Sequence, residues 1–121
     1  MLPTGPLEEL ATRFVLPAKS GVYLTRNELI VLARVSDASL RINERKRMLA
    51  DVLKSAQSPA ELTTLLRRLI DFCQLHVEAF EDLGRQFPCA APLAAPWITA
   101  ARDTMRRLED VCEELAMAPG A

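Results

Sequence analysis

Apolar side chains recur at alternating steps of four and three residues through the second half of the chain. The series runs through Leu62, Leu66, Leu69, Cys73, His76, Phe80, Leu83 and Phe87 and includes the only histidine. This spacing places one side chain per turn on the same face of an α-helix. Ser58, Pro59 and Glu61 form a helix-start signal before it, and Pro88 cannot continue a helix. The pattern predicts a helix over residues 59–87.

A second amphipathic stretch precedes this helix. Thr25 and Glu28 have the spacing of a capping box, in which each side chain bonds a backbone amide of the first turn. No proline or glycine interrupts the stretch before Ser58, and its apolar stripe runs through Val31, Val35, Ala38, Ile42, Leu49, Val52 and Ala56. We therefore expect one long helix over residues 25–57.

A third long helix is predicted near the C-terminus. Cys89 to Pro96 is rich in alanine and proline and is expected to form an extended connector. Pro96 suits the first turn of a helix, and an apolar stripe runs from Ile98 to Leu115. This stripe predicts a helix over residues 96–116, followed by a tail over residues 117–121.

Residues 1–24 are expected to form an N-terminal arm that contains a short helix, Leu7 to Val15. Together the elements predict a single all-α domain over residues 1–121, an antiparallel helical bundle of three long helices plus a short N-terminal helix. The arm either caps its own bundle or swaps onto a second copy, and the sequence leaves both open.

Composition narrows the classes of protein that fit. Half of the residues are hydrophobic, 26% are charged and four are glycine, which is typical of a helical globular protein and not of a disordered one. A formal charge of −1 provides no field that would draw the whole molecule to nucleic acid or an anionic membrane. Residues 1–60 carry +3 and residues 61–121 carry −4, a mild complementarity. Broad apolar helix faces favour a homodimer.

Cysteine usage and the lack of long apolar runs indicate a compartment. Three cysteines without a CxxC pair are typical of reduced thiols. The N-terminal residues show no signal-peptide pattern, and the longest uninterrupted apolar run, Leu29 to Ala33, is far too short to cross a membrane. We expect a cytoplasmic protein with no membrane partner.

His76 is the best lead toward chemistry. One interpretation makes it a neutral core histidine that is hydrogen-bonded to a buried group, as most buried polar residues are. The alternative is a metal site with Cys73 and Cys112, although bundle metal sites usually draw carboxylates inward from several helices. A cysteine in mid-helix has no depressed pKa to make it a nucleophile. We expect no catalytic residue, no metal and no cofactor, and therefore no enzyme.

The remaining candidates are binding residues. Arg41, Arg45, Lys46 and Arg47 form the one concentrated basic patch, which is either a solvated helix face or a phosphate-binding surface of a nucleic-acid-associated transcriptional regulator. Phe14, Tyr23 and Trp97 are either local core caps or contacts to a protein partner. Apolar packing faces, helix caps and turns account for the other residues considered above. We therefore expect a small protein–protein interaction module, such as an adaptor, a chaperone-like protein or a regulatory binding protein.

Overall fold

A computed structural model describes residues 5–34, 40 and 43–117, and these residues form helices and connecting turns without a strand. The all-α class is confirmed. The helices are α1 (Gly5–Phe14), α2 (Pro17–Ser20), α3 (Arg26–Ala33), α4 (Arg45–Lys54), α5 (Pro59–Gln86) and α6 (Ala91–Met117), with a 3-10 turn over Pro88–Ala90.

A hairpin of the two long helices α5 and α6 is the largest unit of the fold. The Ser58 side chain accepts a hydrogen bond from the backbone amide of Glu61 at 3.1 Å, and Pro59 opens α5 where a missing amide is harmless. The predicted helix over residues 59–87 is confirmed to within one residue. At 1.5 Å per residue α5 is about 42 Å long, and α6 is nearly as long. Because only the short 3-10 turn joins them, the two helices run antiparallel and pack against each other.

The predicted start of the third long helix is wrong. The stretch expected to be an extended connector is the 3-10 turn and the first six residues of α6, so that Pro96 lies inside the helix. Proline at this position removes one backbone hydrogen bond, but the neighbouring alanines are the strongest helix formers. Gly84 also lets the start of α6 come close, since a Cβ on Gly84 would stand 3.3 Å from the Ala91 Cβ.

The single helix predicted over residues 25–57 is also wrong. It is replaced by α3 and α4, and between them Leu40, Asn43 and Glu44 are not helical. The Asn43 side chain accepts a hydrogen bond from the Glu44 amide at 2.8 Å, a local bond that competes with helix formation. Arg26 donates to the Asn43 carbonyl at 2.8 Å, so the chain folds back and α4 packs on α3. Predictions for Val35, Ala38 and Ile42 lie outside the described residues.

The short N-terminal helix is confirmed as α1, and the predicted capping box is present at the start of α3. The arm docks on α6, where the Thr104 hydroxyl donates to the Ser20 carbonyl at 2.8 Å. Elements α1 to α4 bury one cluster of apolar side chains against the hairpin; among its fully buried members are Phe14, Val22, Leu29, Met48, Leu49, Leu53, Leu65, Leu66, Leu69, Val77 and Leu108.

The apolar face of α5 emerges from this core before the helix ends. Its last buried residue is Val77. Farther along, Phe80 is half-buried, whereas Leu83 and Phe87 are exposed although they continue the same spacing. The series of apolar positions from Leu62 to Phe87 is therefore part core and part surface.

Candidate partner-binding surface

A groove of about 260 Å³ lies between α3 and α5. We call it the binding groove; its lining residues are Leu24, Glu28, Val31, Leu32, Arg68, Leu69 and Phe72. Leu24, Leu32 and Leu69 are buried and form an apolar floor, while Val31 at the rim is 58% exposed. The groove is smaller than the roughly 300–1,000 Å³ typical of small-molecule sites, and its size suits one or two apolar side chains.

Two opposite charges edge the binding groove. The Glu28 carboxylate is held by the capping box, accepting from the Thr25 amide at 3.1 Å and from the Thr25 hydroxyl at 2.8 Å. Arg68 is exposed, and its guanidinium makes no ion pair or hydrogen bond with any described residue. A ligand with an apolar face and a negative charge would complement both the floor and Arg68.

A row of rings continues from the binding groove along α5 to α6. Ring centroids are 4.5 Å apart for Phe72 and His76, 6.4 Å for His76 and Phe80, and 6.3 Å for Phe80 and Trp97. These separations are within the range in which aromatic pairs attract. The first three residues are four apart, so that they stack on successive turns of the helix. We call these four side chains the aromatic row.

His76 is half-buried and bonded to two backbone groups. Its Nδ1 atom lies 3.1 Å from the Phe72 carbonyl oxygen, and its Nε2 atom lies 3.5 Å from the backbone nitrogen of Tyr23. Both contacts are satisfied when Nδ1 carries the proton and Nε2 accepts from the Tyr23 amide. The imidazole therefore tethers the arm to α5, as a half-buried hydrogen-bonded residue and not as a fully buried core histidine.

Tyr23 and Arg45, predicted as parts of two different sites, are in contact. The Arg45 guanidinium carbon lies 4.3 Å from the centroid of the Tyr23 ring, a cation–π geometry. Arg45 also approaches the Leu24 carbonyl at 3.4 Å. The Tyr23 ring remains 51% exposed, beside the end of the binding groove formed by Leu24.

The predicted basic patch is divided in the described part of the chain. Arg45 lies over the Tyr23 ring, while Lys46 and Arg47 are exposed. A hydrogen bond and charge from Lys54, together with the charges of Arg47 and Lys46, lower the pKa of Glu8 on α1. Arg41 lies outside the described residues. Arg45 is thus engaged by Tyr23 and the Leu24 carbonyl, Lys46 and Arg47 are exposed, and the phosphate-binding interpretation of the patch stays a prediction.

The three predicted contact residues separate into core and surface. Phe14 is only 1% exposed and belongs to the core, so it is not a surface contact in this conformation. Tyr23 and Trp97 are on the surface, at opposite ends of the half-buried stretch from His76 to Phe80. A short helix that must cover the hairpin buries its largest apolar side chain, which explains the position of Phe14.

Two of the three thiols are buried, which disfavours their thiolate forms. Burial raises the pKa of the Cys73 thiol to about 12 and also raises the pKa of Cys112. Cys89 is exposed in the 3-10 turn. Within the described ranges, no three side chains of the His, Cys, Asp and Glu types are grouped to hold a metal ion, so the Cys73, His76 and Cys112 set is not assembled.

Apart from Trp97, the exposed turn of the hairpin was not predicted as a site. We call residues 83–97 the hairpin end; Leu83, Phe87, Leu93 and Trp97 there are 43%, 57%, 75% and 38% exposed. The sequence does carry a signal, because Arg85 is the only charged residue between positions 83 and 101. The apolar spacing of Leu83 and Phe87 predicts a packing face and the alanines and prolines predict a connector, so neither pattern marks the stretch as surface.

Comparisons with known proteins leave the family open. No protein-family model, no curated protein and no solved structure matches the chain. Among the helices in the described ranges, none combines the length and the apolar character that a membrane crossing requires. The binding groove, the aromatic row and the hairpin end are therefore the features from which a function can be argued.

Proposed function

We propose that this protein is a helix-binding module that recognises an amphipathic segment of another protein in the binding groove. The observation that carries the proposal is the groove itself, which lies between α3 and α5 above the buried side chains of Leu24, Leu32 and Leu69, with Val31 exposed at its rim. An amphipathic helix that lays apolar side chains into such a groove is a common mode of peptide recognition.

Charge and shape specify the ligand further. Arg68 has no partner among the described residues, whereas Glu28 is already occupied by Thr25. The ligand helix should therefore carry an acidic residue facing Arg68, beside apolar side chains spaced three or four residues apart. The aromatic row extends this apolar surface along α5, and Tyr23 borders the groove at the arm.

Binding of this kind requires no catalytic group and suits an adaptor, a chaperone-like protein or a regulator that sequesters its partner. The rigid parts of the site come from the hairpin and the capped α3 helix. Pre-formed grooves on packed helices lose little conformational entropy on binding, which favours affinity.

A displayed library of helical peptides tests the proposal. The wild-type protein should select peptides with apolar residues at helical spacing and an acidic residue at a fixed position. Val31→Glu should abolish selection, since it places a charge at the apolar rim. Arg68→Glu should change the preferred charged residue from acidic to basic. Leu75→Glu is the matched control, because Leu75 is exposed on α5 and does not line the groove.

Two results would contradict the proposal. Selection that yields no peptide above background would show that the groove does not recognise helices. Selected peptides that bind Val31→Glu as well as wild type would place the binding surface elsewhere.

A further inference from the structure

We infer that the hairpin end binds the hairpin end of a second copy of this chain, forming a symmetric dimer through a four-helix contact. None of the residues that line the binding groove belongs to the hairpin end, although Trp97 belongs to both the hairpin end and the aromatic row. The dimer contact accounts for the part of the hairpin that the N-terminal elements do not cover.

The α5–α6 hairpin is longer than the helices that cover it. Helices α1, α3 and α4 have 10, 8 and 10 residues, whereas α5 has 28. The last buried residue of α5 is Val77, and between Ala91 and Ala100 only Ala94 of α6 is buried. About 14 Å of α5 therefore extends past the core. Phe80, Leu83 and Phe87 nevertheless keep the apolar spacing of the buried part.

The hairpin end exposes a large apolar area. Leu83, Phe87, Leu93 and Trp97 leave about 400 Å² uncovered per copy, taking about 200 Å² for a large side chain. Apolar patches of this size on soluble proteins are often functional. The four side chains supply about half of the roughly 800 Å² per partner of a standard interface, and a polar rim would supply the rest.

The scarcity of charge on the hairpin end favours an identical partner. A symmetric contact brings each surface against its own copy, so that any net charge would face like charge. Arg85, the only charge between residues 83 and 101, is already paired with Asp82 at 3.5 Å. The hairpin end is therefore nearly free of the repulsion that opposes self-pairing.

Charge also disfavours a lipid surface. Glu78, Glu81 and Asp82 precede the hairpin end on α5, and the arginines that follow it on α6 are already ion-paired, Arg102 with Glu81 and both Arg106 and Arg107 with Asp103. Insertion of apolar loops into anionic bilayers is normally supported by free basic residues. In a dimer, two α5–α6 pairs would instead complete the four-helix packing that one hairpin provides only in part.

Sedimentation velocity under reducing conditions, over a wide range of protein concentration, tests the inference. Wild type should be a dimer at high concentration. Leu93→Glu and Phe87→Glu should each be monomeric there, and circular dichroism should show unchanged helicity because both side chains are exposed. Val31→Glu is the control; it removes peptide selection by the groove and should leave the dimer intact.

Cys89 gives an independent readout from within the hairpin end. It is the one exposed cysteine of the three. Its rate of labelling by a maleimide carrying polyethylene glycol should fall several-fold between monomeric and dimeric concentrations in wild type, and should not change in Leu93→Glu.

Three outcomes would overturn the inference. Wild type that stays monomeric at high concentration would show that the hairpin end does not self-associate. A dimer that survives both substitutions would be formed by another face. A monomer that instead sediments with phosphatidylcholine vesicles, and loses this binding in Leu93→Glu, would assign the hairpin end to lipid.

Discussion

Gly21 lies directly against the backbone of Trp97: a Cβ atom on Gly21 would stand 2.5 Å from the Trp97 carbonyl oxygen. The same atom would stand 2.4 Å from the Ala101 nitrogen, and Gly21 has a φ of 76°. Glycine is therefore required twice, for the left-handed backbone and for the close approach. This contact joins the N-terminal arm to α6, the helix that carries Trp97 into the hairpin end.

Replacement of Gly21 by alanine should destabilise the protein by more than about 2 kcal/mol, since strain from a positive φ adds to a clash with helix backbone. Chemical denaturation measures the change. Gly84→Ala is the matched control, because Gly84 is helical and its added Cβ would meet only the Ala91 Cβ at 3.3 Å and Cα at 3.4 Å. The gain in helix propensity should offset that contact and keep the change within about 1 kcal/mol. Equal effects of the two substitutions would contradict the docking of the arm.

Asp103 should stabilise the fold in a pH-dependent way. Hydrogen bonds from Arg107 and Arg106 lower the pKa of the Asp103 carboxyl, and Arg13 of α1 lies 3.3 Å away. Because the folded pKa is below the unfolded value, the stabilisation is present above pH of about 4 and is lost as pH falls through the folded pKa.

The test compares melting temperatures of wild type and Asp103→Asn across pH. The variant should melt lower near neutral pH, and the two curves should converge in acid. Asp71→Asn serves as the control, because Asp71 makes no ion pair with any described residue. A difference that stays constant down to acidic pH would refute the role of the Asp103 charge.

The neutral ring of His76 should carry its proton on Nδ1. That tautomer donates to the Phe72 carbonyl and accepts from the Tyr23 amide, whereas the other tautomer would lose both hydrogen bonds, since a lone pair would face the carbonyl and an N–H would face the amide. Long-range proton–nitrogen correlation spectra distinguish the two tautomers directly. A proton found on Nε2 would show that His76 does not tether the arm in this way.

Thiol reactivity should separate the three cysteines. In the native protein an alkylating reagent should modify Cys89 rapidly, whereas Cys73 and Cys112 should be protected by burial and by their raised pKa values. Peptide mapping by mass spectrometry identifies the modified sites. In denaturant all three should react. Fast modification of Cys73 in the native protein would contradict its burial between α5 and the core.

Much of the helical architecture was predictable from local chemistry. The Ser58 and Thr25 caps placed helix starts correctly, because capping depends on a few neighbouring residues. Burial of Leu62, Leu66, Leu69 and Cys73 followed from their spacing. The break before Glu44 was missed, since it depends on Asn43 bonding locally and on Arg26 reaching back across 17 residues, neither of which interrupts the apolar stripe.

The candidate sites were harder to predict. Periodicity shows which residues share an apolar helix face, but it does not show whether that face is covered by the same chain or lies on the surface. Phe14 and Leu83 both fit apolar helix faces, yet Phe14 is in the core and Leu83 is exposed. The difference depends on how far the short helices reach along the hairpin. Scarcity of charge between residues 83 and 101 was the local signal that could have marked the hairpin end.

Fluorescence of Trp97, the only tryptophan, tests most directly whether the hairpin end forms the contact between two copies of the chain. In dilute solution the partly exposed indole should emit at long wavelength and be quenched by acrylamide. At high concentration the emission should shift to shorter wavelength and the quenching should decrease, while Leu93→Glu should keep the dilute-solution values throughout. Identical emission and quenching for wild type and Leu93→Glu at every concentration would contradict the account.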